Sequence, residues 1–146
     1  MQQTRVKLPE EQIRRKVQAI LSALGYEGHE ISIVITQNST IKALNEKYRQ
    51  VSKPTNVLAF PMLEGDFSTI TPALLGDIVI SAEKAEQEAA MAGITTEERL
   101  SQLLVHGILH LVGYDHEKGK VQAEEMEAKS LDLIRLIENN PELTAF

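Results

Sequence analysis

Hydrophobic residues along this chain recur with two different periods, one typical of helices and one typical of strands. From Pro9 to Gly25 they recur at helical spacing, and a proline followed by two glutamates is a typical helix start. From Glu30 to Gln37 three isoleucines fall on alternate positions among β-branched neighbours, which predicts a strand. The same reasoning predicts a short strand at Asn56–Phe60, stopped by Pro61, and a third strand at Gly76–Ser81.

Four further helices are predicted between and after these strands. One follows Ser39 and runs to Arg49, and another follows Ser81 and runs to Gly93, each with its serine as the N-cap. A helix that starts at Thr95 or Thr96 runs to Gly113, and a last helix covers residues 117–138. The remaining segments are predicted as a break at residues 51–55, a surface loop at 62–74 and an additional candidate strand at 4–7.

The predicted architecture is α+β, with a small mixed β-sheet covered by helices. The helix that runs to Gly113 is apolar nearly all round, which is typical of a central buried helix. No internal repeat, low-complexity tract or linker divides the 146 residues. Residues 1–146 are therefore expected to form a single domain.

Composition narrows the classes of protein and of site. The hydrophobic content of 42% and the charged content of 25% are ordinary for a globular chain and argue against disorder. The chain has no cysteine, so disulfides, a thiol nucleophile and zinc–thiolate sites are excluded, and a bound metal needs histidine or carboxylate ligands. The first residues lack the features of a signal peptide and no apolar run approaches about 20 residues, so a cytoplasmic location is expected.

The net charge of −6 is unfavourable for a nucleic-acid partner, but the charges are unevenly distributed. Residues 1–60 carry nine basic and five acidic residues, whereas residues 61–146 carry six basic and sixteen acidic ones. This asymmetry allows a local basic face on an acidic protein, although charge alone favours an ordinary solvated surface.

The candidate chemistry is concentrated in three histidines within eleven residues. His106 and His110 are four residues apart on a predicted helix, so they project from one face at the spacing that chelates one metal ion. Gly113 is suited to end this helix, and the chain can then return His116 to the same point. Three histidines with an open fourth position predict a site for one zinc ion, whereas the alternative is ordinary core histidines satisfied by hydrogen bonds.

Position 107 distinguishes this pattern from that of a peptidase. The spacing resembles the metzincin signature H-E-x-x-H-x-x-G-x-x-H, whose glutamate is the general base, but Gly107 stands in place of that glutamate. Glycine within a helix costs about 1 kcal/mol relative to alanine, so a reason for it is expected. One reason is space for a bulky anionic group, such as a phosphodiester, beside the metal, and the other is close packing against a neighbouring element.

Three further segments accompany the histidines. Residues 44–49 read LNEKYR, residues 54–61 read PTNVLAFP, and residues 75–80 read LGDIVI. Together with HGILHLVGYDH at 106–116, they resemble the L-N-x-x-Y-R, P-T-D-V-L-S-F-P, G-D-I-x-I and H-G-x-L-H-L-x-G-Y-D-H segments of the YbeY family of bacterial endoribonucleases. The resemblance spans about residues 30–130. Two positions depart from the pattern: Asn56 stands where aspartate is usual, and Ala59 where serine is usual.

The resemblance implies a zinc-dependent, single-strand-directed endoribonuclease that acts in ribosomal RNA maturation, at the 3′ end of the small-subunit RNA, and in ribosome quality control. Its implied partners are single-stranded or ribosomal RNA and the small ribosomal subunit with its proteins, with no membrane involved. It also implies His106, His110 and His116 as the ligands of one zinc ion and Arg49 as a catalytic residue.

The residues themselves leave the mechanism and two other classes of function open. Water activated by the metal could attack the phosphorus, or the metal could stabilise charge while the 2′-hydroxyl of the RNA attacks. Arg49 could hold a phosphate by a bidentate contact, or it could be a solvent-facing residue at a helix C-terminus. A metallopeptidase and a non-catalytic ribosome assembly factor with a structural metal are the alternatives to RNA cleavage.

Overall fold

The computed structural model describes residues 10–49, 56–61, 74–114, 119–138 and 140–144. Within these residues the chain forms five helices and a three-stranded mixed sheet, which confirms the predicted α+β class. The helices are α1 (Glu10–Ala23), α2 (Asn38–Arg49), α3 (Ala82–Ala92), α4 (Thr96–Leu111) and α5 (Lys120–Ile137). The strands are β1 (Glu30–Thr36), β2 (Val57–Pro61) and β3 (Leu74–Ser81). None of the described helices is long and apolar enough to cross a membrane.

The element boundaries confirm one predicted serine cap and correct two other details. Ser81 is the N-cap of α3, because its Oγ accepts a hydrogen bond from the backbone N–H of Lys84 at 3.1 Å. Ser39 is not a cap, since α2 already begins at Asn38. Pro61 does not stop β2 but is its last residue, which an edge strand tolerates because it needs no N–H there. The predicted break at 51–55, loop residues 62–73 and candidate strand at 4–7 lie outside the described residues.

Strand β3 is the middle strand of the sheet, parallel to β1 and antiparallel to β2. At its centre, Ile78 pairs with Ile33 of β1 and with Ala59 of β2. Successive residues of a strand point to opposite faces of the sheet, so the flanking Val79 points away from the face that Ile78 covers. Both faces of the sheet can therefore bury apolar residues.

The two faces are covered by different helices. On one face, Val79 packs in a small cluster with Leu58 and with Ile41 of α2. On the other face, Ile78 and Ile80 belong to the main core, which also contains most of the apolar residues of α4. Helices α2 and α4 therefore lie on opposite sides of the sheet.

Helix α4 is the central element of the main core. Every side chain from Arg99 to Val105 is buried, as are those of Ile108, Leu109 and Leu111. This burial agrees with the prediction from a helix that is apolar nearly all round. His106 and His110 are the half-buried positions within this run.

Buried polar contacts fix the first half of α4. We call these contacts the polar clamp, and they join Lys16, Glu88, Arg99, Ser101 and Glu138. The Nζ of Lys16 in α1 lies 2.6 Å from Oε2 of Glu138 and 2.9 Å from Oγ of Ser101, with both charged side chains only 11% exposed. Arg99 forms an ion pair with Glu88 of α3 at 2.9 Å. Buried charges are costly unless they are paired, so the clamp holds α4 against α1 and α3 in one arrangement.

The start of α4 is closed by a capping box. The Oγ of Thr95 accepts a hydrogen bond from the backbone N–H of Glu98, and the Glu98 carboxylate accepts one from the backbone N–H of Thr95, both at 3.0 Å. This backbone hydrogen bond, together with one from the side-chain amide of Asn140, lowers the pKa of Glu98. A lowered carboxyl pKa stabilises the folded state at neutral pH, and that contribution is lost as the pH falls through the lowered pKa.

The close approach of α4 to β3 generates a prediction about Gly107. A Cβ at this position would lie 3.1 Å from Cδ1 and 3.2 Å from Cγ2 of Ile78, closer than ordinary contact. Overpacking of this kind costs about 1–3 kcal/mol, while alanine is favoured over glycine in a helix by about 1 kcal/mol. Gly107→Ala should therefore lower the free energy of unfolding by about 0–2 kcal/mol, measured by urea denaturation.

A double-mutant cycle separates this contact from the change in helix propensity. Ile78→Val removes Cδ1, the nearer of the two crowded atoms. The valine substitution should therefore cost less stability in the Gly107→Ala background than in the wild type. Equal costs in the two backgrounds would show that the contact does not limit the position of α4.

Candidate metal centre at the end of helix α4

His106 and His110 lie one turn apart on α4 and their imidazole rings approach each other. The two Nε2 atoms are 3.1 Å apart. The ring centroids are 4.6 Å apart and the ring planes are inclined by 74°. Both nitrogens thus point to a common region beside the helix, as the four-residue spacing predicts.

The separation of these nitrogens fits a shared zinc ion. Two imidazole nitrogens bound tetrahedrally at about 2.0–2.1 Å from zinc lie about 3.3–3.4 Å apart. The distance of 3.1 Å is close to this value. It also suits a hydrogen bond between two neutral rings, in which one Nε2–H donates to the other Nε2 according to the tautomer. The donor pair therefore fits zinc without requiring it.

The helix ends where the sequence predicts. The last helical residue is Leu111, and Gly113 has a φ of +104°, a conformation that favours glycine. The backbone N–H of Tyr114 donates to the carbonyl of Leu109 at 2.9 Å, and that of Gly113 to the carbonyl of His110 at 3.2 Å. These two bonds form a Schellman motif, which turns the chain away from the helix axis directly after the histidine pair.

The third predicted ligand, His116, lies outside the described residues, as does its neighbour Asp115. Within the part of the chain that the structure describes, no three His, Asp or Glu residues are grouped closely enough to hold a metal ion. The assignment of His116 as a ligand therefore stays a prediction. The helix stop at Gly113, which that prediction needs, is present.

The structure favours packing as the reason for Gly107. The glycine is buried on the side of α4 that faces the sheet, against the side chain of Ile78. An anionic group could not use this space, because Ile78 already fills it. The expectation that Gly107 provides room for a substrate beside the metal is therefore wrong, and close helix–strand packing explains the residue.

Helix α4 runs from one end of the sheet towards the other. Near its start, Arg99 is joined through Glu88 to Asn56, whose carbonyl accepts a hydrogen bond from Ser81 at the carboxyl end of β3. Eight residues later Gly107 lies against Ile78, and each further residue advances the helix by about 1.5 Å. The histidine pair is therefore on the half of α4 directed away from Ser81, towards the pairing of Gly76 with Pro61.

Arg49 is the last residue of α2, on the other face of the sheet. The helix starts just after Thr36, which pairs with Ser81, and Ile41 then packs against Val79. Arg49 follows Ile41 by eight residues, about 12 Å along the helix, in the direction away from Ser81. Helices α2 and α4 thus both run towards the Gly76 end of the sheet.

The two departures from the family pattern have local partners. The side-chain amide of Asn56 donates to the carboxylate of Glu88, with distances of 3.4 and 3.5 Å to its two oxygens. Glu88 is also the ion-pair partner of Arg99. The Glu88 carboxylate therefore contacts one positively charged side chain, Arg99, and one neutral side chain, Asn56. Ala59 pairs with Ile78 and packs against the main core, where a methyl group suits the apolar surroundings.

Sequence reasoning did not single out Glu88 or Arg99. Arg99 directly follows Glu97 and Glu98 in the first turn of α4, so its sequence surroundings are those of an exposed helix start. Its partner Glu88 lies on another helix, eleven residues earlier, and no local pattern joins the two positions.

Comparison with known proteins gives the class to which this fold and histidine pair belong. The family model for endoribonuclease YbeY matches residues 1–138. A Geobacter metallireducens protein described as endoribonuclease YbeY is 46% identical over 127 residues, covering 86% of this chain and 85% of that protein. A Geobacter sulfurreducens protein of the same description is 47% identical over 128 residues, covering 87% and 85%. The solution structure of a Thermotoga maritima protein has a TM-score of 0.64 and 29% identity, covering 87% of this chain and 79% of that one.

The family model and the two Geobacter relatives are endoribonucleases by description, and the prediction of an enzyme of this class is confirmed. The chain belongs to the endoribonuclease YbeY family. The predicted family is therefore confirmed, over more of the chain than the sequence motifs alone cover.

The first prediction for this site concerns its metal content. His110→Ala should lose most of the zinc that co-purifies with the wild type in chelator-free buffers, because two remaining ligands cannot compete with water. Elemental analysis of the purified proteins measures this directly. His29→Ala is the matched control, since His29 lies between α1 and β1 in contact with Tyr26 and should leave the zinc content unchanged. Equal zinc in His110→Ala and wild type would eliminate the histidine assignment.

The second prediction concerns Asn56→Asp. A carboxylate at position 56 would lie beside the carboxylate of Glu88, and the charge of Arg99 would offset only part of the repulsion. Two neighbouring carboxylates raise the pKa of the pair in the folded state. A raised carboxyl pKa costs stability as the pH rises through it, so the loss of Tm should be larger at pH 8 than at pH 5.

Asn56→Ala is the control for this measurement. It removes the hydrogen bond to Glu88 without adding a charge, so its loss of Tm should be similar at the two pH values. An aspartate variant whose Tm follows that of the alanine variant at both pH values would contradict the predicted repulsion.

Proposed function

We propose that this chain is a zinc-dependent endoribonuclease that cleaves single-stranded RNA. The proposed substrate is ribosomal RNA, in maturation of the 3′ end of the small-subunit RNA and in ribosome quality control, with the small ribosomal subunit as partner and the cytoplasm as the place of action. Membership of the endoribonuclease family supports the reaction. The observation that carries the metal requirement is the pair of Nε2 atoms of His106 and His110, 3.1 Å apart on one face of α4.

The proposed zinc ligands are His106, His110 and His116. Neutral imidazole ligands leave the ion its full double positive charge, which suits a phosphodiester substrate. When bound, zinc supplies Lewis acidity towards phosphate oxygens and lowers the pKa of water in its open position. The role of α4 is to hold two of the ligands rigidly, since its surroundings are a packed core.

Arg49 is the proposed phosphate-binding residue. A guanidinium group can donate two parallel hydrogen bonds to a phosphate and keeps its charge at any physiological pH. Its position at the end of α2, towards the same end of the sheet as the histidine pair, supports this role. The attacking group is either water or the 2′-hydroxyl of the RNA, and both reactions need the phosphate held and its charge neutralised.

The surroundings of Gly107 weaken the case for a peptidase. In a metzincin this position carries the glutamate that acts as the general base. Here the position faces β3, and a Cβ would already crowd Ile78, so a longer acidic side chain has no room. Proteolysis and a purely structural metal are the two alternatives that the assay below can establish instead of RNA cleavage.

The test of this proposal uses Arg49. Arg49→Glu should reduce cleavage of a single-stranded RNA by roughly a hundred- to a thousand-fold, the usual effect of losing a charged donor at a transition state. Arg49→Lys should be intermediate, because lysine keeps the charge but loses the planar pair of donors. Rates are compared at matched zinc occupancy, so that any loss reports on the arginine alone. A wild-type rate in Arg49→Glu would remove Arg49 from the site.

The same assay separates the classes of function. Wild-type protein should cleave the single strand faster than the same sequence in a duplex, lose activity with a chelator and regain it with zinc. Casein should stay intact over many hours. Chelator-sensitive cleavage of casein would establish the peptidase instead, and a zinc-loaded protein that cleaves neither polymer would establish a structural metal.

A further inference from the structure

Among the helices that the structure describes, α2 has the largest net positive charge. Its sequence, NSTIKALNEKYR, contains Lys42, Lys47 and Arg49 against one glutamate. The sequences of α3, α4 and α5 each contain more acidic than basic residues. Helix α1 has one excess basic residue, but its Lys16 is paired within the polar clamp. Any polyanion that approaches the described surface therefore meets its most favourable helix at α2.

The positive residues of α2 lie on two different sides of the helix. Lys42 and Arg49 are seven residues apart, which is within about 20° of two full turns, so both positions lie on one stripe. Lys47 is five residues from Lys42 and therefore about 140° away around the axis. Lys42 and Lys47 are both exposed, while Ile41 faces the sheet. None of the ion pairs between described residues involves Lys42.

We propose that Lys42 and Arg49 form one phosphate-binding stripe along α2, and that single-stranded RNA follows this stripe to reach the histidine pair. The stripe is about 10.5 Å long, seven residues at about 1.5 Å each, so it can contact more than one phosphate. Helix α2 lies on the face of the sheet opposite to α4, but both helices run towards the Gly76 end of the sheet, so the RNA would pass round that end to reach His106 and His110. This inference rests on the proposed function and adds the path of the substrate.

The experiment measures how the affinity for RNA depends on salt. The probe is a fluorescently labelled, single-stranded 2′-O-methyl RNA, whose integrity is checked after each titration of the zinc-loaded protein. Each phosphate contact contributes about 0.7 to the slope of log affinity against log salt for a single strand. Lys42→Ala should therefore lower the slope by about 0.7 and weaken binding about five-fold at 0.1 M salt.

Two lysine variants serve as matched controls because each removes the same charge from an exposed position. Lys47→Ala changes the other side of α2, and Lys120→Ala changes the start of α5. Both should leave the slope within error of the wild type. If Lys42→Ala also leaves it unchanged, or if Lys47→Ala lowers it equally, the stripe is wrong.

The outcomes also separate this inference from the proposed function. A wild-type protein that neither binds nor cleaves single-stranded RNA would overturn the proposed function and the stripe with it. A wild-type protein that cleaves RNA while Lys42→Ala binds with unchanged salt dependence would overturn the stripe alone.

Discussion

Helix α4 lies so close to β3 at Gly107 that a side chain at this position would be crowded. The crowding that a Cβ would meet at Ile78 shows how little space separates the helix from the strand. Because protein interiors are close-packed, this contact fixes the depth of the whole helix. The depth of the helix in turn determines how far the adjacent His106 and His110 are buried, and both are half-buried. The position of the histidine pair is therefore a consequence of helix–sheet packing.

The polar residues of α4 fall into two groups with different solutions to burial. In the first half of the helix, Arg99, Ser101 and Gln102 are buried and each is bonded to another part of the chain: Glu88, Glu138 and the carbonyl of Thr144. In the second half, the two histidines face each other. Buried polar groups need partners. The first group finds its partners within the protein, whereas a metal ion held between the two imidazoles would serve the second group.

Much of the fold could be predicted because it depends on local patterns. The alternation of isoleucines gives β1, the capping residues Ser81 and Thr95 give the starts of α3 and α4, and the apolar run gives the burial of α4. The histidine spacing and the stop at Gly113 are local in the same sense, and both are present. The histidine pair and the helix stop after it could therefore be predicted from the sequence.

The rest depends on contacts between distant residues, which no local pattern reveals. Lys16 and Ser101 are 85 positions apart, and Gln102 and Thr144 are 42 apart, so only the folded chain brings them together. The role of Gly107 was ambiguous for the same reason. A glycine is expected both where a ligand needs room and where a neighbour such as Ile78 packs closely, and the sequence does not distinguish the two. The cap of α2 was misjudged because serine is acceptable both as a cap and within a first turn.

The polar clamp and the glycine contact also restrict how the chain length can vary. The clamp fixes α4 near Arg99 and Ser101, and Ile78 fixes it again at Gly107. One residue inserted or deleted between these points would rotate the second half of the helix by about 100° and shift it by about 1.5 Å. The histidine pair would then face a different neighbour while the clamp stayed in place. Insertions and deletions are therefore compatible with the site only outside the segment from Arg99 to His110, whatever substitutions that segment accepts.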